Sequence, residues 1–509
     1  MTADANECDD KAVGMLKSSV VRVGVLLVVS ALFVRGAVCW RSLDQYSADP
    51  DAYRAIAETL GVTGVFGLTA ASGETVATAF RPPLYPNVLS LFLVDQHLPN
   101  AAVASLHTLL GVMAVLFTYL AGLSMLPRNT GFFGNTGLQR DTGLQRDTGL
   151  QRDTGLQRDT GLWGPSLAAI LVLIDPLLLK QSTVVMTETF ATTLVCIVFW
   201  WWATYRTRMN GVVFAVVLGA LLSVAFLVRP TFIAWAILLV LTSFFFEIFG
   251  LTQLSKLTWK QRLINATLPS VVVLSVLFVV VGGWTWRNLR SVGHPVWATT
   301  HGGYTLLLGN NPSFYDYLQS GSADGKWDSD SFQVAYSHRY DGDPRTEDFW
   351  QRRWEGPREV QDPAVVETVT EHSDDLLAYE SAKAVIGRQP LMFLWAAGVR
   401  VCRLWSPFPH ALEGRASWLV TMVGIYSCCL YVAMFVGCLR LRRNLCASKW
   451  LPVLTLFVTL TAVHAVYWSN IRMRAPAIPA IALLAACAIP PLRAGIHSPS
   501  NVERDTVCG

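Results

Sequence analysis

Three aspartates, Asp44, Asp49 and Asp51, stand just after the first apolar segment of membrane length, in a stretch that continues Asp51-Ala-Tyr53-Arg-Ala-Ile-Ala-Glu58. Carboxylates beside a hydrocarbon layer are costly to keep unless they bind something, so this loop is a candidate site at the membrane surface. An ionised carboxylate within reach of a hydroxyl can orient it and take its proton. From Tyr53 to Leu60 the apolar residues recur at helical spacing, which predicts a short amphipathic helix lying on the membrane with the acids at its N-terminal end. Asp49 or Asp51 could equally cap that helix, with Pro50 at the first helical position. Capping and proton transfer stay open as alternatives, and they need not fall on the same acid.

Further chemistry-bearing residues follow in order. Arg81-Pro-Pro-Leu-Tyr85-Pro86 reads as a stiff, extended junction, because each proline removes a donor and restricts the residue before it. Glu188 sits at the end of the fourth apolar segment, placed to pair with a basic neighbour or to face the first loop. Trp286-Arg287-Asn288 leads through Gly303 to Gly309-Asn310-Asn311-Pro312, a run of interface tryptophan and turn residues. Residues 313–375 are rich in Asp, Glu, Arg, Trp and Tyr, a mixture suited either to a polar, hydroxyl-rich ligand or to a solvated cap. Arg472 and Arg474 precede the last apolar segment, and guanidinium groups pair well with phosphate.

These residues need a scaffold, and composition says which kind. Over 509 residues the chain is 52% hydrophobic and only 15% charged, with 18 tryptophans and a mean hydropathy of +0.39. That is the composition of an all-α polytopic membrane protein. A net charge of +4, dispersed between apolar segments, excludes nucleic acid as a partner. Apolar runs able to cross hydrocarbon fall near 19–39, 101–125, 164–181, 184–204, 211–228, 231–250, 267–286, 414–438, 450–468 and 474–491, roughly ten spans. The stretch 391–405 reads as either a span or a helix lying at the interface.

Lysine and arginine set the expected orientation. Lys11, Lys17 and Arg22, then Arg206 and Arg208, Lys256, Lys260 and Arg262, and Arg440, Arg442 and Arg443 fall on one side, the cytoplasmic one. Both termini are then cytoplasmic in an inner or plasma membrane, with the regions 40–100, about 287–413 and the turn around Arg472 outside. Arg472 and Arg474 run against the positive-inside trend, which an anionic ligand or an acidic lipid headgroup explains. The expected organisation is a membrane core over 1–286 with the first external loop at 40–100 and a cytoplasmic linker at 127–163, a small cap over 287–413, C-terminal spans over 414–495 and a tail over 496–509. The linker holds tandem copies of Thr136-Gly-Leu-Gln-Arg-Asp141, a unit too short and too polar for a packed core. The ten cysteines lie in spans, beside them or in the termini, and imply no disulfide framework. The nine histidines lack the paired spacing of a metal site.

Taken in order, Asp49-Pro-Asp-Ala-Tyr53 with Ala57, Arg81-Pro-Pro-Leu-Tyr-Pro86, Thr187-Glu188, Arg229-Pro230, Trp286-Arg287-Asn288, Gly303, Gly309-Asn-Asn-Pro312 and Arg472-Met-Arg474-Ala-Pro476 resemble the GT-C class of membrane glycosyltransferases. The likeness is to the family 39-like bacterial relatives of the protein mannosyltransferases and lipid A aminoarabinose transferases, over most of the chain. It implies a polyprenyl-phosphate sugar donor at the outer membrane surface, an acceptor that is protein, lipid or glycan, and inversion at the anomeric carbon. It also implies a first-loop aspartate as base, Asp49 or Asp51, with Glu188 positioning the loop or polarising the sugar. Arg472 and Arg474, backed by Arg81 and Arg287, would hold the leaving phosphate, while Asp44, Tyr53, Tyr85, Asn288 and Asn310 would line the substrate site. Membrane lipid is a necessary partner, and a divalent cation is left open. Two other readings compete: a transporter or lipid flippase, for which inverted repeats are expected, and a polysaccharide polymerase or ligase with a diphosphate-linked donor.

Overall fold

A computed structural model describes residues 2–70, 72–126, 161–250, 258–320, 327–358, 369–409 and 417–489. The repeat segment Thr136 to Asp159 and the expected tail lie outside these residues. The described chain is helical apart from one antiparallel hairpin, β1 (Gly67–Thr69) and β2 (Thr75–Ala77), in register Gly67 to Ala77.

Among the described residues, seven helices are long and apolar enough to cross a membrane. They belong to α1 (Thr2–Arg41), α4 (Asn100–Met125), α8 (Gly211–Val228), α9 (Thr231–Ile248), α10 (Trp259–Ser291), α17 (Ser417–Leu441) and α18 (Leu451–Val466). The fold is thus an all-α, multi-pass membrane protein. Three expected segments form other helices. The run 164–181 breaks into α5 (Trp163–Ile174) and α6 (Pro176–Gln181), because Pro176 cannot continue the helix and the Asp175 carboxylate caps the new one, accepting from Leu178 N–H at 2.9 Å. The run 184–204 begins at Glu188 as α7 (Glu188–Tyr205), where threonines and Trp200 to Trp202 lower the hydropathy. The last run divides into a 3-10 turn over Ile471–Ala477 and α19 (Ile478–Ala486). The stretch 391–405 is the 16-residue helix α16 (Pro390–Trp405), which packs on α18 and carries Arg400 and Arg403.

The bundle is knit by α4 against α1, α5 and α7, and by α8 against α7, α9 and α10. The core runs from Phe199, Trp202 and Trp235 to Leu456 and Leu483, all buried. Dispersion and close packing hold such helices together in lipid, where apolar burial alone gives no drive. Gly437 shows the requirement: a Cβ there would collide with the Leu484 carbonyl on α19.

Two short helices occupy the first loop, α2 (Tyr53–Thr63) and α3 (Leu84–Ser90). The amphipathic helix expected from Tyr53 onward is present, with Tyr53, Ile56 and Ala57 buried. Pro50 is not its first residue, because the left-handed Ala52 (φ 58°) turns the chain into the helix after both acids. The proline-rich junction also differs from the extended form expected. Pro83 is helical and Pro86 lies in the first turn of α3, where the missing N–H groups would have no intrahelical partner.

The region after α10 folds as a cap of α11 (Gly302–Gly309), α12 (Pro312–Ser320), α13 (Asp330–Ser337), α14 (Glu347–Gln351) and α15 (Glu371–Arg388). Its core gathers Leu306, Leu307, Phe332, Ala378 and Ala382. The cap is tied to the first loop where Glu371 accepts from Thr78 Oγ1 at 2.5 Å and Ala79 N–H at 2.6 Å.

Candidate active site

The helix directions bring one set of ends together: the N-terminus of α7, the C-termini of α8 and α10, the first loop, and the 3-10 turn before α19. At that end five charged side chains form a chain. Arg81 donates to the Asp51 carboxylate through Nη2 and to the Asp51 carbonyl through Nε, both at 2.7 Å. Asp51 Oδ2 lies 4.0 Å from Arg472 Nη2. Arg472 Nε lies 3.8 Å from Glu188 Oε1, and Arg229 Nη1 lies 3.6 Å from the same oxygen.

Only the first of these contacts has hydrogen-bond length. Glu188 is 3% exposed, yet its Oε2 has no partner among the described residues, and neither do Arg229 Nη1 or Arg472 Nε. Both arginines lean instead on thioethers, Arg472 Nη1 on Met186 Sδ at 2.8 Å and Arg229 Nη2 on Met473 Sδ at 3.0 Å. A thioether is a weak acceptor, so these guanidinium groups keep hydrogen-bonding capacity for something stronger.

Asp49 takes the capping role: its Oδ2 accepts the Ala55 N–H at 2.9 Å. Its other oxygen, Oδ1, is buried without a partner among the described residues. The two acids therefore differ in kind, Asp51 held by Arg81 and Asp49 half engaged. Tyr53 packs edge-on against Tyr85 at 5.3 Å, and the Arg81 guanidinium lies 5.6 Å from its ring centre. Burial pushes the Tyr53 phenol up to about 12, with Arg81 opposing and Asp51 and Glu188 adding to the shift. It stays a neutral donor.

Other residues grouped with this site by sequence stand elsewhere. Asp44 is exposed, in a 3-10 turn where its carbonyl accepts from Ser47 Oγ. The Tyr85 hydroxyl turns into the bundle, 2.7 Å from His107 Nε2, while His107 Nδ1 donates to the Ser182 carbonyl at 2.9 Å. Arg287 donates to the carbonyls of Thr78 and Phe66, each at 2.7 Å, and so braces the hairpin onto α10. Asn288 Nδ2 donates to Val296 O, and Asn310 Nδ2 to the carbonyls of Leu306 and Val466. Arg474, two residues from Arg472, points the other way and donates to the carbonyls of Leu404 and Ser406. Apart from the exposed Asp44, these placements share one cause: each side chain satisfies buried backbone carbonyls or a buried histidine, which would otherwise be left unpaired.

Arg229 is the residue missing from the sequence-derived site. Its signal was its place before Pro230, which holds its backbone extended (φ −146°, ψ 117°) at the end of α8 and turns the side chain toward Glu188. Among the described residues, no group of three or more His, Cys, Asp or Glu side chains could hold a metal ion.

The fold and this cluster define a multi-pass helical membrane protein with a carboxylate and arginine site at one end of its bundle. No family model matches the sequence, and no curated protein matches it. Solved structures do. An apo oligosaccharyltransferase from Archaeoglobus fulgidus aligns at 12% identity with a TM-score of 0.47, over 92% of this chain and 50% of that one. The oligosaccharyltransferase AglB of that organism, in complex with an inhibitory peptide and a dolichol-phosphate, aligns at 13% identity and 0.47, over 93% and 50%. ArnT from Cupriavidus metallidurans bound to undecaprenyl phosphate aligns at 14% identity and 0.36, over 91% and 77%. The chain thus spans about half the length of the archaeal proteins it matches.

Proposed function

We propose that this protein is an integral membrane glycosyltransferase that moves a sugar from a polyprenyl-phosphate donor to an acceptor hydroxyl at the outer face of the inner or plasma membrane, both its termini being cytoplasmic. One observation carries the reading: Glu188, Arg229 and Arg472 converge with buried polar atoms left unpartnered, and Asp49, two residues before Asp51 on the loop that reaches them, keeps a buried oxygen unpartnered as well, in a chain whose motifs resemble the GT-C class in order. A buried polar atom without a partner costs about 1–3 kcal/mol, so a folded protein keeps several together where a ligand completes them.

In the proposed reaction the acceptor oxygen forms its bond to the anomeric carbon as the bond from that carbon to the phosphate oxygen breaks. Asp49 Oδ1 receives the hydroxyl proton, and the electron pair leaves with the phosphate. Attack from the face opposite the phosphate inverts the carbon. Arg229 and Arg472 meet the negative charge that grows on the leaving phosphate, and so contribute more in the transition state than before it. Glu188 holds the two guanidinium groups side by side at distances a phosphate can divide. Arg81 and Asp51 fix the loop that carries Asp49.

The test is transfer of radiolabelled sugar from polyprenyl-phosphate donors in membranes that contain the protein. Asp49→Asn is expected to abolish most transfer at matched protein level, and Asp51→Asn to reduce it less. No transfer from any singly phosphorylated donor, with transfer from a diphosphate-linked one, would replace this reading with the polymerase or ligase.

A further inference from the structure

Beside the reacting cluster, between the first loop and the cap, lies a separate cleft of about 320 Å³ lined by Phe80, Thr300, His301, Tyr304, Tyr336, Glu371, Asp374 and Asp375. That is the volume of roughly ten waters, the scale of a single sugar ring rather than a polymer. Its aromatic wall is continuous: Phe80 meets His301 edge-on at 4.9 Å, His301 stacks on Tyr304 at 5.1 Å, and Tyr304 meets Tyr336 at 5.1 Å. Phe80 also lies under the Arg81 guanidinium at 4.2 Å, so the wall leads directly to the reacting cluster.

The polar groups divide into those already occupied and those not. Glu371 is used by Thr78 and Ala79, and Asp374 by Arg339 Nε at 2.6 Å and Tyr340 at 2.7 Å. Asp375 accepts the Gly303 N–H on Oδ1 at 2.6 Å, leaving Oδ2 without a protein partner among the described residues. Thr300 is only 7% exposed, and its Oγ1 has no partner there either. His301 is held neutral by burial and by the charge of Arg81, its value lowered to about 3, which leaves it one donor and one acceptor nitrogen. A carboxylate oxygen, a hydroxyl and an imidazole thus stand at the edge of an aromatic wall, the arrangement that meets the hydroxyl rim and the apolar C–H face of a sugar ring. Three carboxylates in the lining oppose an anionic ligand.

Resting on the glycosyl-transfer reading, we infer that this cleft binds a neutral sugar unit of the acceptor, so that the acceptor is a glycan. The cleft holds that sugar against Tyr304 and Asp375 while the rest of the acceptor glycan, with its reacting hydroxyl, runs past Phe80 toward the cluster around Arg81.

Saturation-transfer NMR on the full chain in nanodiscs tests this, with methyl glycosides of glucose, mannose, galactose and arabinose, methyl glucuronide as the anionic control, and a Ser/Thr-rich peptide. At least one neutral glycoside is expected to saturate, with the signal reduced fivefold or more in Asp375→Asn and Tyr304→Leu and kept in Tyr304→Phe, all at wild-type elution volume. No neutral glycoside signal, saturation of the glucuronide or the peptide instead, or cleft variants that leave the signal unchanged would each overturn the inference. The two readings fail separately. Glycoside contact at the cleft without transfer from any donor would remove the proposed reaction and leave the cleft, whereas Asp49-dependent transfer without glycoside contact would do the reverse.

Discussion

Arginine appears in two settings in this molecule. Arg54, Arg287, Arg400 and Arg474 point at backbone carbonyls: Arg54 at Tyr46 and Leu98, Arg287 at Thr78 and Phe66, Arg400 at Ala465 and Gly309, and Arg474 at Leu404 and Ser406. Each closes a loop or a broken helix end with charge-assisted hydrogen bonds. Arg229 and Arg472 face a shared carboxylate from beyond bonding distance and rest on sulfur. Arg54, Arg400 and Arg474 also keep one buried nitrogen without a partner among the described residues; what sets Arg229 and Arg472 apart is that they face a carboxylate with an unpaired oxygen rather than backbone carbonyls, the setting suited to a ligand.

That contrast can be broken by substitution. The largest effect is expected at Asp49: Asp49→Asn keeps an oxygen for the Ala55 N–H and removes the base, so transfer should fall by about 10²–10⁴ in the radiolabel assay, with thermal stability unchanged. Loss of folded protein instead would make Asp49 a cap and nothing more. Next, Arg472→Met and Arg229→Met should each lower transfer by roughly 10²–10³, and Arg472→Lys should recover only part of it, since a point charge cannot pair bidentately.

Arg474→Met should separate from Arg472→Met although two residues divide them. The expected outcome is a loss of about 2–4 kcal/mol of stability, read as a lower melting temperature or reduced folded yield, with transfer per folded molecule within about threefold of wild type. Equal loss of transfer in both variants at equal stability would dissolve the distinction between the two kinds of arginine.

The smallest effect concerns pH. Burial raises the Asp375 carboxyl to about 6, opposed by the Gly303 N–H and reinforced by the charges of Asp374 and Glu371 on the same helix; His301, before α11, lines the same cleft, and Arg339 of the cap is engaged by Asp374. A carboxyl whose folded value exceeds its unfolded value stabilises the fold while protonated, and that contribution is lost as pH rises through about 6. Cap stability should therefore decline between about pH 4 and pH 6 by a few °C, and Asp375→Asn should flatten the curve in thermal scans.

Much of the scaffold was legible because hydrophobic length is a local property. The seven long apolar helices, the amphipathic turn from Tyr53 and the capped start of α10, where Thr258 and Gln261 bond reciprocally, all follow from neighbours in the chain. Where a proline and a capping acid coincide, as at Asp175-Pro176, the interruption of the apolar run at 164–181 is legible in the sequence too, since a proline cannot continue a helix.

The site was legible only as a list of residue types. Asp49, Asp51, Glu188 and Arg472 stand out in sequence as charges beside lipid, and the bundle does bring them to one end. Yet Arg472 and Arg474 are equivalent in composition, and so are Arg229 and Arg287. What separates them is whether a carbonyl from a distant helix lies within reach, as Leu404 and Ser406 do for Arg474. Local sequence determines which segments are helical and where charge sits along them, because apolar length and capping act over a few residues. Which of those charges is consumed by the fold and which is left for chemistry is decided by partners on other helices and loops, far off in the chain, since a hydrogen bond is spent on whichever group packing brings within about 3 Å.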